Sequence, residues 1–101
     1  MEVIINTEGA QTTVGLVGRL DTPAAQEVSA ALVPVIEKAS GTTVLDCGRL
    51  EYISSSGLRI FLTLRKEAAS KGGRVIVRGM SGNIRGVFMM TGFLNLFEIE
   101  D

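Results

Sequence analysis

The sequence predicts an α/β fold in which a mixed β-sheet packs against α-helices. Short apolar segments typical of strands alternate along the chain with longer segments whose apolar residues recur at helical spacing. The first two strands are joined by a short turn, which predicts an antiparallel hairpin, and each later strand follows a helix. Helical crossovers join parallel strands, so the sheet should contain both kinds of pairing. We expect one domain over residues 1–101, with the order β-β-α-β-α-β-α.

The predicted hairpin consists of strands at residues 3–6 and 12–20, with the turn around Gly9. In the second strand, alternate residues from Val14 to Leu20 fall on one face, which is typical of a half-buried strand.

The first predicted helix begins after the second strand. Asp21 can cap it, and Thr22 is followed by a proline in the first turn. Apolar residues then recur at helical spacing up to Ala39. Pro34 lies inside this segment and deletes one helical hydrogen bond, so we expect a kink or an early end there.

A short buried strand is predicted at residues 42–47, followed by a serine-rich turn and a central helix that ends near Lys71. The apolar arc of this helix is wider than one sheet face requires. Ile60 or Leu64 could therefore stay partly open at its edge, or both could pack against a neighbouring helix.

The last elements are a strand at residues 74–78, a third helix and an edge strand at residues 97–99. Ser81 can cap this helix and Gly92 should stop it.

Composition excludes several classes of protein. Hydrophobic residues make up 46% of the chain and charged residues 21%, which is typical of a compact globular domain. The formal net charge of -1 gives no basic surface for nucleic acid. No apolar run reaches the roughly 18 residues that span a bilayer, and no signal peptide is evident. We expect a cytoplasmic protein without membrane insertion.

The chain contains one cysteine, Cys47, and no histidine. A zinc site is therefore not expected, and Ser-His and Cys-His catalysis are excluded. Cys47 ends the predicted buried strand and is expected to be a structural thiol. Nucleotide-binding glycine motifs are also absent, so we expect no enzyme activity and no cofactor.

The serine-rich turn consists of Ser54, Ser55, Ser56 and Gly57. One serine should cap the central helix, and on this turn alone simple capping is the favoured interpretation. The alternative is a hydroxyl displayed at the positive end of a helix dipole, where a phosphate is stabilised. Gly57 would then leave room for a phosphate or backbone of another molecule.

A wider pattern extends from this turn in both directions. Its residues, in order, are Asp46, Leu50, Tyr52, Ile53, Ser54, Ser55, Ser56, Gly57 and Leu58. This pattern resembles the signature of the STAS domain of bacterial anti-sigma factor antagonists. The order of elements and the segments at residues 18–21 and 91–99 resemble the same family, so the resemblance covers nearly the whole chain.

The resemblance implies a regulatory cycle without catalysis by this chain. The serine before the glycine, here Ser56, is the residue that a partner kinase phosphorylates. The unphosphorylated antagonist binds this anti-sigma factor serine kinase and frees a sigma factor, and a phosphatase resets the cycle. The alternative is a STAS subunit with an architectural role in a transport or sensory complex.

The resemblance also implies a partner-binding surface. Its residues are Asp21, Thr22, Ser54, Ser55, Ser56, Gly57 and Arg59. Asp21 could contact the partner, cap its helix, or do both. Ser54 stands where many family members have an acidic residue. Arg59 could neutralise a phosphate on Ser56, pair with a carboxylate of the partner, or be a solvated surface arginine.

Overall fold

The computed structural model describes residues 1–100. Within these residues the elements, in chain order, are β1 (Glu2–Glu8), β2 (Gln11–Leu20), α1 (Thr22–Ala31), α2 (Val33–Glu37), β3 (Thr42–Ile53), α3 (Ser55–Ser70), β4 (Arg74–Arg78), α4 (Gly82–Thr91), a 3₁₀ turn (Phe93–Asn95) and β5 (Glu98–Glu100). This order confirms the α/β fold that the sequence predicts.

The strands form one mixed sheet in the order β1-β2-β3-β4-β5. β1 and β2 are antiparallel, and Gly9 and Ala10 form the tight turn between them, with Glu8 paired to Gln11. Gly9 has a φ of 59°, a left-handed conformation that glycine adopts without strain. All later neighbours in the sheet are parallel, as expected for strands joined by helices.

The core lies between the helices and one face of the sheet. Burial alternates along β2, where Val14 and Leu16 are fully buried and the residues beside them are half-buried. The largest fully buried side chains are Phe61, Phe88, Leu16, Leu20, Leu32, Leu45, Leu64, Ile84, Val14, Val28, Val44 and Val77. Phe61 of α3 contacts Phe88 of α4 edge to face, with ring centroids 5.7 Å apart, which is a favoured aromatic geometry.

Pro34 breaks the first helical segment, as predicted. α1 ends at Ala31, and Pro34 lies in the first turn of α2, where its missing N–H removes no helical hydrogen bond. Leu32 at the junction is fully buried, so the break is fixed by the core.

β3 is longer than the sequence predicts. The strand does not end at Cys47 but continues to Ile53. Its pairing with β2 shifts register twice, between Gly15 and Val17 and between Gly18 and Arg19. Such irregularities interrupt the alternation of buried and exposed residues, and alternation is the sequence signal of a strand. The extension matters because it brings Ile53 beside Leu20, so that the parallel strands β2 and β3 end side by side at the same end of the sheet.

The start of α3 packs directly against these two strand ends. Gly57 is buried, and a Cβ atom placed on it would stand 2.7 Å from Cγ of Leu20 and 2.9 Å from Cγ1 of Ile53. The space that the missing side chain leaves is therefore filled by this chain's own core. The expectation that Gly57 leaves room for another molecule was wrong, because the close approach is internal.

Gly57→Ala should destabilise the fold by about 1–3 kcal/mol, because an added methyl group must push Leu20 or Ile53 out of place. The free energy of unfolding from denaturant titration would show the loss. The matched control is Gly86→Ala in α4, where nothing lies within 4 Å of the added Cβ atom.

Alanine is the better helix former, so Gly86→Ala should raise the free energy of unfolding by about 0.5–1 kcal/mol. Opposite signs for the two substitutions are expected. If Gly57→Ala is as stable as the parent, α3 is not held against the sheet by this contact.

Candidate functional site

The two helices that follow β2 and β3 begin side by side. Leu20 and Ile53 are paired in the sheet, and the next residues, Asp21 and Ser54, are the N-caps of α1 and α3. The N–H of Ser54 donates a hydrogen bond to the carbonyl oxygen of Leu20 at 2.9 Å, which ties the two strand ends together. Two helix N-termini at the carboxyl ends of neighbouring strands create a region rich in backbone N–H donors, which is suited to an anion.

Asp21 is the N-cap of α1. Its Oδ1 accepts a hydrogen bond from the N–H of Ala24 at 3.0 Å, and its side chain is half-buried. Capping, one of its two expected roles, is confirmed. Thr22 follows as the first residue of α1 and is exposed.

Ser54 is the serine that caps α3. Its Oγ accepts a hydrogen bond from the N–H of Gly57 at 3.2 Å. Ser55 and Ser56 lie in the first turn, and neither hydroxyl is hydrogen-bonded within residues 1–100. Ser55 is exposed and Ser56 is half-buried. The three serines therefore differ: one stabilises the helix and two have free hydroxyls.

Ser56 borders a groove between α1 and α3 that the sequence analysis did not predict. The groove has a volume of about 530 Å³, and its lining residues are Thr22, Ala25, Gln26, Ser29, Ala30, Val33, Ser56 and Ile60. A smaller pocket of about 130 Å³ shares Ser29, Ser56 and Ile60 with it. Its other lining residues are Leu32, Ile36, Arg59 and Thr63. Of the three serines in the turn, Ser56 lines both cavities and the other two line neither.

The structure brings most of the predicted site together. Asp21, Thr22 and the segment Ser54 to Gly57 meet where β2 and β3 end. Arg59 lies further along α3, is exposed and lines the smaller pocket. Gly57 contributes by close packing, because it is buried.

The wide apolar arc of α3 left open whether Ile60 or Leu64 is partly exposed or both are packed against a neighbouring helix. Leu64 is fully buried, whereas Ile60 is half-buried and forms part of both cavity walls. Ile60 is thus the apolar residue of α3 that stays partly open at the groove.

Cys47 lies outside this site. Its side chain is fully buried in β3, and burial raises the pKa of the thiol to about 12. The group is protonated at neutral pH, which confirms a structural thiol. Across residues 1–100, no cluster of three or more His, Cys, Asp or Glu side chains could hold a metal ion. No helix in the same range is long and apolar enough to cross a membrane.

Comparison with known proteins identifies the class of this domain. The family model described as "Mlab, STAS domain" matches residues 4–98, so the chain is a STAS domain. A protein of Bordetella bronchiseptica named as the anti-sigma factor antagonist BtrV is 34% identical over 86 residues, which cover 85% of this chain and 74% of that protein. The chain belongs to the anti-sigma factor antagonist family of STAS proteins.

Solved structures share the fold. The anti-sigma factor antagonist SpoIIAA in its unphosphorylated form matches with a TM-score of 0.77 at 22% identity, over 99% of this chain and 88% of that chain. The phosphorylated form of SpoIIAA, from Bacillus, matches with a TM-score of 0.75 at 23% identity, over 97% of this chain and 90% of that chain. A Thermotoga maritima protein described as an anti-sigma factor antagonist matches with a TM-score of 0.90 at 16% identity, over 98% of this chain and 86% of that chain.

Ser54→Ala should lower the free energy of unfolding by about 0.5–2 kcal/mol, because it removes the cap of α3. Ser55→Ala is the matched control and should change stability by less than about 0.5 kcal/mol, since its hydroxyl is exposed and unbonded. Denaturant titration of both variants would measure the difference. Equal losses would mean that the hydroxyl of Ser54 does not cap the helix.

Proposed function

We propose that this protein is a cytoplasmic anti-sigma factor antagonist that binds an anti-sigma factor serine kinase in its unphosphorylated form. Binding displaces a sigma factor from the kinase, phosphorylation of Ser56 ends the interaction, and a phosphatase restores it. The supporting observation is the position of Ser56. Among the three serines of the turn, it is the one whose side chain combines a free hydroxyl with a place on the groove.

The partner-binding surface proposed here surrounds Ser56. Thr22, Ser55 and Arg59 are exposed and can contact a partner directly. Asp21 and Ser54 are half-buried caps that fix the two helix starts and leave part of each side chain accessible. Gly57 acts indirectly by holding α3 against the sheet.

The chain is proposed to be the substrate of phosphorylation and to have no catalytic role. Neither cavity beside Ser56 has an aspartate, glutamate or histidine in its lining. A serine hydroxyl is a weak nucleophile unless a neighbouring base accepts its proton. The base and the phosphate donor must therefore come from the partner, which is how a kinase acts on a protein substrate.

Phosphorylation can end the interaction without unfolding the domain. A phosphate adds roughly two negative charges to a half-buried position whose surroundings include the apolar residues Ala25, Val33 and Ile60. In the free protein, the unpaired N–H groups of the first turn of α3 stabilise this charge. In the complex the same charge meets a closely packed partner surface, and a repulsive buried contact can cost several kcal/mol.

The direct test is affinity purification of the tagged protein from native lysate, with identification of bound proteins and of phosphorylated residues. The proposal predicts an ATP-dependent serine kinase as the main partner and phosphate at Ser56. Phosphate at Ser54 or Ser55 would contradict the site. Recovery of a transport or sensory assembly, with no phosphate on the turn, would favour the architectural role.

Ser56→Asp should weaken kinase binding at least about tenfold, which corresponds to 1.4 kcal/mol, with little change in melting temperature. Ser56→Ala should retain binding but accept no phosphate. Ser55→Asp is the control for added charge and should reduce affinity less. Titration calorimetry and thermal unfolding would measure both quantities. Unfolding of Ser56→Asp, or equal binding losses for both aspartate variants, would refute a switch at Ser56.

Asp21 can be tested separately as a cap and as a contact. Asparagine caps helices about as well as aspartate, so Asp21→Asn should keep stability while removing the charge. Asp21→Ala should lose about 0.5–2 kcal/mol of stability as well. If Asp21 contacts the partner, both variants bind the kinase more weakly. Full affinity in Asp21→Asn would show that this carboxylate serves only as a cap.

A further inference from the structure

Arg59 has an unusual position relative to Ser56. The two residues are three apart on α3, so their side chains lie on the same side of the helix, about 5–6 Å apart at Cβ. Both line the smaller pocket beside the groove. The flexible arginine side chain can therefore reach a group attached to the oxygen of Ser56.

No carboxylate among residues 1–100 forms an ion pair with Arg59. By contrast, Arg74 pairs with Glu98 and Arg78 with Glu100. Arg59 is also the one charged residue in the linings of the two cavities beside Ser56. The acidic residues of α1 are its N-cap, Asp21, and Glu27 within the helix. Neither of them lines either cavity.

We propose that Arg59 is the internal counter-ion of a phosphate on Ser56. This inference rests on the proposed modification of Ser56. A guanidinium group binds phosphate through two parallel N–H···O hydrogen bonds, an arrangement that lysine cannot reproduce. Leu32, Ile36 and Ile60 line the same pocket and Ser56 is half-buried, so the phosphate end of the pair lies beside apolar side chains, where a charged hydrogen bond is stronger than in water.

The pairing gives phosphorylation a second effect on the surface. Without phosphate, Arg59 is a free cation beside the groove and is available to a carboxylate of the partner. With phosphate on Ser56, the same guanidinium is bound within the chain. The modification thus adds negative charge at the groove and withdraws from the partner the one positive group of the smaller pocket beside it.

The test needs no kinase. Phosphoserine is inserted at position 56 during translation, and the second ionisation of the phosphate is followed by phosphorus NMR as pH is varied. A nearby cation favours the dianion, so Arg59→Gln should raise the second pKa of the phosphate by about 0.3–1. Arg59→Lys should show a smaller rise, because it keeps the charge but loses the paired hydrogen bonds.

Lys66→Gln is the matched control. Lys66 is an exposed cation on the same helix, ten residues from Ser56, which corresponds to about 15 Å along the axis. It should leave the second pKa of the phosphate unchanged. An unchanged value in Arg59→Gln, or an equal rise in Lys66→Gln, would overturn the assignment of Arg59.

Failure of this inference is distinguishable from failure of the proposed function. The titration reports on Arg59 whether or not cells phosphorylate Ser56. Conversely, phosphate at Ser56 in lysate, with no change in the titration of Arg59→Gln, would preserve the switch and remove its internal counter-ion.

Discussion

The contact between Leu20 and Gly57 determines the geometry of the whole site. Cγ of Leu20 occupies space that any side chain at position 57 would need, at 2.7 Å from a built Cβ atom. The carbonyl oxygen of the same leucine accepts the hydrogen bond from the N–H of Ser54 at 2.9 Å. Together they fix the start of α3 on the end of β2, so Ser56 is positioned by core packing and not by a mobile loop.

Leu20 also positions the start of α1, because Asp21 follows it directly and caps that helix. The two walls of the groove therefore begin from one pair of strand ends. Ala25 and Ala30 of α1 and Ile60 of α3 all contribute to the lining of this groove. Under the proposed function, a close-packed frame of this kind lets a phosphate on Ser56 change the surface while the core keeps its packing.

The features that the sequence predicted are those that local chemistry determines. Helix starts follow from the capping residues Asp21 and Ser81, and the break after α1 follows from the proline two residues beyond Leu32. The second half of β3 was missed because its bulges remove the alternation that marks a strand. The groove was missed because it exists only between two helices, and the pattern of one helix does not determine its distance from another.

The resemblance implies an acidic residue at position 54 in many family members, and the capping role of Ser54 shows what this chain keeps without it. Serine and aspartate are both preferred N-caps, so the exchange keeps the hydrogen bond to the N–H of Gly57. What it removes is a negative charge two residues from Ser56. Arg59 lines the smaller pocket together with Ser56, and Asp21 caps the neighbouring helix α1. Under the proposed function, we expect selectivity for the partner kinase to depend more on these two side chains than on the charge of the serine turn.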